Sequence, residues 1–359
     1  MKDLDNAIEV LKILNDNNYD AFIVGGFVRD YLLNIKSNDI DLTGSATPEE
    51  VEKLFKTIPT GIKFGTVLIC YKDSKFEHTT FRFDGAYSDS RHPLGVCYSK
   101  NVIDDIKRRD FTINALLMDS NKNIIDYIDG KKDLEMRLIK TIGNPDERFN
   151  EDALRMLRVI SFVSKLGFDV DDDTLKSVKK NKELLKNVSV ERVRLEFDKI
   201  SNGKYRNKAW DLFYNLGLNE IFPNMKYIKS SDSAFIDILL CNLLKTGEIS
   251  DFWQISKSNI RMLTKAVELL KNGITDYNLF IAGYPSSKYA LDYLKIDISR
   301  YENLKIKSLK DLSIKGNDLD FILKTKRNEC LNHLAKQVLD NNINNDYESL
   351  LKEAKKWNI

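Results

Sequence analysis

Cysteine is scarce in this chain of 359 residues, and its scarcity excludes two classes of protein. Cys70, Cys97, Cys241 and Cys330 show no CxxC spacing, so neither a zinc site nor a disulfide framework is expected, and all four read as reduced thiols. Histidine is rarer still. His78, His92 and His333 form no His-Asp cluster, which excludes a phosphohydrolase centre of that type. No apolar run approaches the ~20 residues that span a bilayer. The opening Met1-Lys2-Asp3-Leu4-Asp5 is acidic and amphipathic, unlike a signal peptide. A cytoplasmic protein with no membrane partner is therefore expected. Proline is thin after Pro145, where only Pro223 and Pro285 occur. Strand-like alternation and internal repeats are also missing from that stretch, so it reads as helical almost throughout.

A large net charge is missing too, at +2, but the charge is unevenly spread. Residues 1–140 hold 20 Lys and Arg against 23 Asp and Glu, and the remainder holds 36 against 31. An acidic head on a mildly basic body suits a polyanionic partner bound by the body. The same modest excess also occurs in proteins that bind no nucleic acid, so charge alone does not decide. Hydrophobic residues make up 42%, enough for a globular core, and the length predicts two to four units.

The first 140 residues read as mixed α/β. Leu4, Ile8, Leu11 and Leu14 repeat at a helical period over 4–17. Residues 21–24 form an apolar strand, 27–33 a helix, and 39–42 a second strand. Thr47-Pro48-Glu49-Glu50 reads as a helix start, with Thr47 as N-cap and Pro48 in the first turn. Residues 66–71 and 75–83 alternate like paired strands around Asp73-Ser74. Residues 84–99 have no periodicity and read as a mobile loop.

Three clusters carry chemistry. In Asp39-Ile40-Asp41-Leu42, acids at i and i+2 of a strand share a face, which suits a hard cation such as Mg²⁺. Alone they also read, less strongly, as solvent-facing acids on an edge strand. Behind Gly25-Gly26 and Arg29 they read otherwise, because a double glycine opening a helix lets a phosphate approach the backbone. Glu77 is the candidate third carboxylate from a neighbouring strand, while His78 reads as a sheet residue. The second cluster is Lys107-Arg108-Arg109-Asp110, either a basic solvated turn or a phosphate clamp. In the latter, Arg109 forks onto phosphate oxygens and Asp110 accepts from a ribose hydroxyl.

The third cluster is Asp152, Arg155 and Arg158, at i+3 steps on an expected helix. Such spacing commonly means a surface ion-pair ladder. It also suits base recognition: an Asp accepts from the exocyclic amine of cytosine or adenine, and an Arg donates to the ring nitrogen. Guanine and uracil would leave both groups unpaired, at a cost that gives selectivity.

These stretches, in this order, resemble the class II, bacterial-type CCA-adding tRNA nucleotidyltransferases. The resemblance rests on Gly25-Gly26-x-Val28-Arg29-Asp30, Asp39-Ile40-Asp41, and the Asp84-Gly85-x-Tyr87-x-Asp89-x-Arg91-His92-Pro93 segment. It continues in Arg108-Arg109-Asp110-Phe111-Thr112-Ile113-Asn114-Ala115, Glu151-Asp152-x-x-Arg155-x-x-Arg158 and Glu191-Arg192-Val193-Arg194-x-Glu196. It covers about 1–200, and the tail from Leu312 to Trp357 matches weakly. The resemblance implies an α+β fold, a small mixed-sheet head followed by an all-α neck, body and tail, at 1–140, 141–200, 201–275 and 276–359. It implies metal binding by Asp39 and Asp41, triphosphate contacts from Gly25, Gly26, Arg29 and Arg109, and base recognition by Asp152 and Arg155 with Arg158 supporting. It further implies a flexible loop acting through Asp84 and Arg91, and tRNA, CTP and ATP as partners. The family pattern carries another Arg where this chain has Ser161, which removes one nucleotide contact. The alternatives are a CC-adding, A-adding or poly(A)-adding relative, or an inactive RNA-binding module. The intact Asp84–Arg91 segment favours full CCA addition, and intact Asp39, Asp41 and Arg109 favour an enzyme.

Overall fold

A computed structural model describes residues 2–37, 39–84, 96–223, 225 and 235–357. Arg91 lies outside them, as does most of the segment read as a loop. Of Asp84 only the backbone is described, at the end of a short strand. The chain divides into two compact units, Met1–Phe222 and Pro223–Ile359.

The first unit opens with helix α1 (Lys2–Asp16), which buries Ala7, Val10, Leu11 and Leu14 as its period predicts. Strand β1 (Ala21–Val24) runs into helix α2 (Gly26–Leu32) through Gly25, whose φ of 78° is a conformation that side chains rarely adopt. Strand β2 is Asp41–Gly44, not 39–42. Asp39 precedes it in irregular backbone, so the two acids do not share a strand face. Helix α3 (Pro48–Leu54) starts in the expected capping box: Thr47 Oγ1 accepts from Glu50 N–H, and Glu50 Oε2 accepts from Thr47 N–H.

Strands β3 (Lys56–Gly61), β4 (Thr66–Tyr71) and β5 (Ser74–Thr80) follow. The turn between β4 and β5 falls at Lys72-Asp73, one residue before the expected position. The expected strand over 75–83 is interrupted at Phe81. Beyond it, β6 (Arg82–Asp84) leaves the main sheet and pairs with β7 (Val96–Tyr98). Helix α4 (Val102–Lys107) leads into the Arg108–Asp110 segment, and β8 (Leu117–Met118) and β9 (Ile124–Ile125) complete the sheet. Its order is β3-β4-β5-β2-β1-β8-β9. β2 lies parallel to β5, with Asp41 opposite Glu77, and antiparallel to β1, with Asp41 opposite Val24. Val24, Ile106, Ala115, Leu117 and Ile142 form a buried cluster behind the strand ends.

After helix α5 (Gly130–Glu135) the regular structure among the described residues is helical, apart from one two-residue parallel pair, β10 (Leu138–Ile139) with β11 (Asp169–Val170). Helix α6 (Pro145–Glu151) is capped by Asn144 and ends at Asp152. Helix α7 (Leu154–Leu166) begins after a break, so the expected continuous helix through Asp152 is two helices. Helices α8 (Asp172–Asn181), α9 (Val190–Asn202) and α10 (Arg206–Asn215) complete the unit. α7 packs on α9 and α10, and Phe197, Trp210, Phe213 and Phe222 interlock beneath them.

Among the described residues of the second unit the regular structure is helical, with an irregular stretch over 303–326. It runs through α11 (Phe235–Thr246), α12 (Lys257–Asn272), α13 (Asp276–Ala282), α14 (Ser286–Tyr293), α15 (Ser299–Glu302), α16 (Arg327–Leu339) and α17 (Tyr347–Trp357). Leu263, Leu279, Leu291, Leu334 and Leu350 are among its buried residues.

Candidate active site

A cleft of about 790 Å³ opens in the first unit, where the α2 start, the β2 start, the Arg108–Asp110 segment, α7 and the end of α9 converge. Gly25, Gly26, Arg29, Asp39, Asp41, Arg109, Asp110, Asp152, Arg155 and Arg158 all line it. Residues named from three separate sequence clusters thus meet in one place. Glu77 is not in the lining, but it stands beside Asp41 in the sheet register and acts on its charge.

The floor is acidic. Asp41 is open to the cleft, yet the surrounding protein and the Asp39 and Glu77 carboxylates push its carboxyl up to about 6, against the pull of the Arg109 guanidinium. Uncompensated carboxylate oxygens on this floor fit a hard divalent cation. Among the described residues no three His, Cys, Asp or Glu converge to hold a metal by themselves.

The walls are arginine-rich, and most of their donors are already engaged. Arg29 is 1% exposed. Its Nε donates to Asp30 Oδ1 at 2.8 Å, its Nη1 to Asn114 Oδ1 at 2.5 Å, and its guanidinium lies 5.3 Å from the Phe162 ring centre. Arg108 and Arg109 both fork onto Asp105, a fully buried carboxylate on α4, at 2.6 and 2.7 Å. Burial alone would raise the Asp105 pKa, but the Arg109 and Arg108 guanidinium groups hold it below the usual carboxylate range. Asp105 was not picked out by sequence reasoning. Its signal was available: an acid three and four residues before two arginines is the helical ion-pair spacing.

Asp110 takes four donors, from Arg158 Nε and Nη2, Asn114 Nδ2 and Phe111 N–H. These fill the acceptor sites of its two oxygens. Burial pushes its pKa up, and Arg158 with the other donors outweighs that and holds it low. In this arrangement Asp110 holds Arg158 and Asn114 in place and has no acceptor left for a ribose hydroxyl. Arg158 in turn lies 5.4 Å from the Phe162 ring centre.

Asp152 sits in the break between α6 and α7. Its Oδ1 accepts from Leu154 N–H at 3.1 Å and its Oδ2 from Arg192 Nη2 at 2.6 Å. Each oxygen keeps one lone pair. Arg155 Nη1 donates to Glu151 Oε2 and the Arg148 carbonyl, and Nη2 to the Arg108 carbonyl at 3.0 Å. Arg148 reaches the Lys107 and Arg109 carbonyls. The two arginines therefore grip the backbone of the segment that carries Arg108 and Arg109. Arg155 retains its Nε–H and one Nη2–H.

Lys165, Lys199, Asn202 and Gly203 also line the cleft. Tertiary packing, rather than any local pattern, brings them there. Gly203 is required by proximity: a Cβ at this position would lie 2.0 Å from Ser164 Oγ, where α7 and α9 meet. On the other face of the sheet, His78 is fully buried with neither ring nitrogen hydrogen-bonded, and burial pulls its pKa down to about 4. It is a neutral core residue, as its position on a strand predicts.

Comparison with known proteins bears on this cleft. Residues 21–140 match the Poly A polymerase head domain family, and 167–229 match the family described as the probable RNA and SrmB-binding site of polymerase A. The chain is 35% identical to a CCA-adding enzyme of Lactobacillus johnsonii, over 95% of this chain and 94% of that one. It is similar to the Bacillus stearothermophilus CCA-adding enzyme solved in complex with CTP, with a TM-score of 0.85, 29% identity, and coverage of 98% and 97%. The Thermotoga maritima CCA-adding enzyme solved with tRNA shares the fold at a TM-score of 0.69 and 19% identity, over 98% and 94%.

Proposed function

This chain belongs to the CCA-adding enzymes, and from that membership we propose that the cleft holds CTP or ATP against the 3′ end of a tRNA. The enzyme adds C, C and A in turn to that end without a nucleic-acid template. In each addition the terminal 3′ hydroxyl gives up its proton to solvent, its oxygen bonds to the α-phosphorus, the bond from that phosphorus to the bridging oxygen breaks, and pyrophosphate leaves with the electron pair.

Nucleotidyltransferases of this family use divalent metal ions, and we assign Mg²⁺ to Asp39 and Asp41, with Glu77 as the supporting carboxylate. Held by Asp39 and Asp41, such ions would activate the 3′ hydroxyl and stabilise the departing charge. The chain's own groups do the rest. Gly25 and Gly26 leave the α2 start open to phosphate, because a side chain on either would stand over it. Arg109, anchored by Asp105, presents a fixed fork to phosphate oxygens. Asp152 offers its spare lone pairs to the exocyclic amine of C or A, and Arg155 offers its remaining N–H groups to the ring nitrogen. A tRNA substrate supports a cytoplasmic location for the enzyme; no described helix is long and apolar enough to cross a membrane.

The observation that supports this reading most is the convergence of Asp39 and Asp41 with Arg109, Arg155 and Arg158 in one cleft. The test is incorporation of each nucleotide separately into tRNA lacking its 3′ end. Wild type is expected to use CTP twice and then ATP, and to leave GTP and UTP unused. Asp41→Ala is expected to add nothing while still binding tRNA, since backbone phosphate contacts need no catalytic metal. Turnover by that variant in Mg²⁺ would overturn the metal assignment.

A further inference from the structure

Ser161 lines the cleft without bringing any charge to it, and Arg29 is locked away at 1% exposure between Asp30, Asn114 and Phe162. Both facts reduce the positive charge that can move onto a triphosphate. One turn beyond Ser161 on α7 stands Lys165, in the same cleft. Residues four apart share a helix face, so Lys165 covers the space an arginine at 161 would reach. Its ammonium is 3.0 Å from Asp30 Oδ2, and its side chain is 51% exposed. Asp30 already has a full partner in Arg29, whose Nε and Nη2 lie 2.8 and 2.6 Å from its Oδ1. The acid thus faces two cations, of which Lys165 is the exposed one, on a long flexible stem.

We propose that Lys165 is a nucleotide-binding residue of this enzyme, taking over at the triphosphate the contact that Ser161 cannot make. Its ammonium swings from Asp30 onto a phosphate oxygen when the nucleotide enters. Asp30 stays neutralised by Arg29, so no buried charge is left bare. This rests on the cleft being the nucleotide site, as proposed above.

The test is equilibrium binding of CTP, and of cytidine, which lacks phosphate, to wild type and Lys165→Met without tRNA, followed by steady-state addition. CTP affinity is expected to fall about tenfold, the scale of one charge-assisted contact. Cytidine binding and tRNA affinity should be unchanged, and KM for CTP should rise with kcat nearly constant. Lys165→Arg should retain wild-type affinity, and Ser161→Arg placed in Lys165→Met should recover it. Equal loss of CTP and cytidine, or a loss confined to tRNA binding, would overturn the assignment. If wild type binds CTP and Lys165→Met binds it equally well, Lys165 alone is misassigned. If wild type binds no nucleotide, the reading of the cleft itself fails.

Discussion

Asp105 shows how much of this site depends on a side chain that never reaches the cleft. Its two oxygens hold Arg108 and Arg109 from beneath, and burial makes both ion pairs stiff. Such a carboxylate contributes more to geometry than to stability, because the desolvation of a buried ion offsets much of its attraction. Removing the charge is different from never having had it. Asp105→Asn would leave two guanidinium groups without their counter-charge, at a cost on the order of 3 kcal/mol. It would also free Arg109 to adopt other rotamers. The variant is expected to lose thermal stability and to raise KM for both CTP and ATP, while its preference for C and A over G and U stays intact. Thermal melting and four-nucleotide incorporation check this. A change in base preference would mean that Arg109 reads the base rather than the phosphate.

At the scale of elements, the break between α6 and α7 changes the meaning of the Asp152–Arg155 pair. On one continuous helix the two would be rungs of a surface ladder. Here Asp152 accepts from Leu154 N–H at the start of α7 and is held by Arg192 of α9, while Arg155 ties α7 to the Arg108 carbonyl. Asp152→Ala and Arg155→Ala should therefore differ. Asp152→Ala is expected to relax discrimination against GTP and UTP by roughly tenfold to a hundredfold, the value of a paired base contact. Arg155→Ala should lose discrimination and also overall rate, because the Arg108 segment loses a tether. Incorporation of all four nucleotides on a tRNA ending in CC measures both. Wild-type preference in both variants would make the pair purely structural.

What was legible in the sequence follows the same division. Gly25-Gly26, the capping box at Thr47 and the basic run before Phe111 are local patterns, and each stands where expected. The end of a helix at Asp152 was not legible from its i+3 spacing, because the same spacing continues across the break. The start of β2 at Asp41 is set by its neighbours Val24 and Glu77, and Lys199 and Gly203 enter the cleft through packing of α9 on α7. No window of sequence contains those partners.

For the whole molecule, every residue lining the cleft belongs to the first unit, which is slightly acidic. Residues 223–359 hold 21 Lys and Arg against 17 Asp and Glu. Binding of tRNA is expected to weaken steadily as salt rises, through release of counterions, and to follow the shape of the acceptor helix more than its sequence. Titrating a tRNA minihelix at low and high salt checks this, and equal affinities would contradict it. The span of the cleft along the chain, from Gly25 to Gly203, also bears on synthesis. Chains grow from the N-terminus, and domains fold as units as they emerge. The acidic floor at Asp39 and Asp41 therefore leaves the ribosome long before Arg155, Arg158 and Lys165 can face it. A nascent chain halted between them carries the carboxylates and Arg109 without the α7 side chains Arg155, Arg158 and Lys165 that complete the cleft. The site is thus assembled only once the last wall of its cleft has been made.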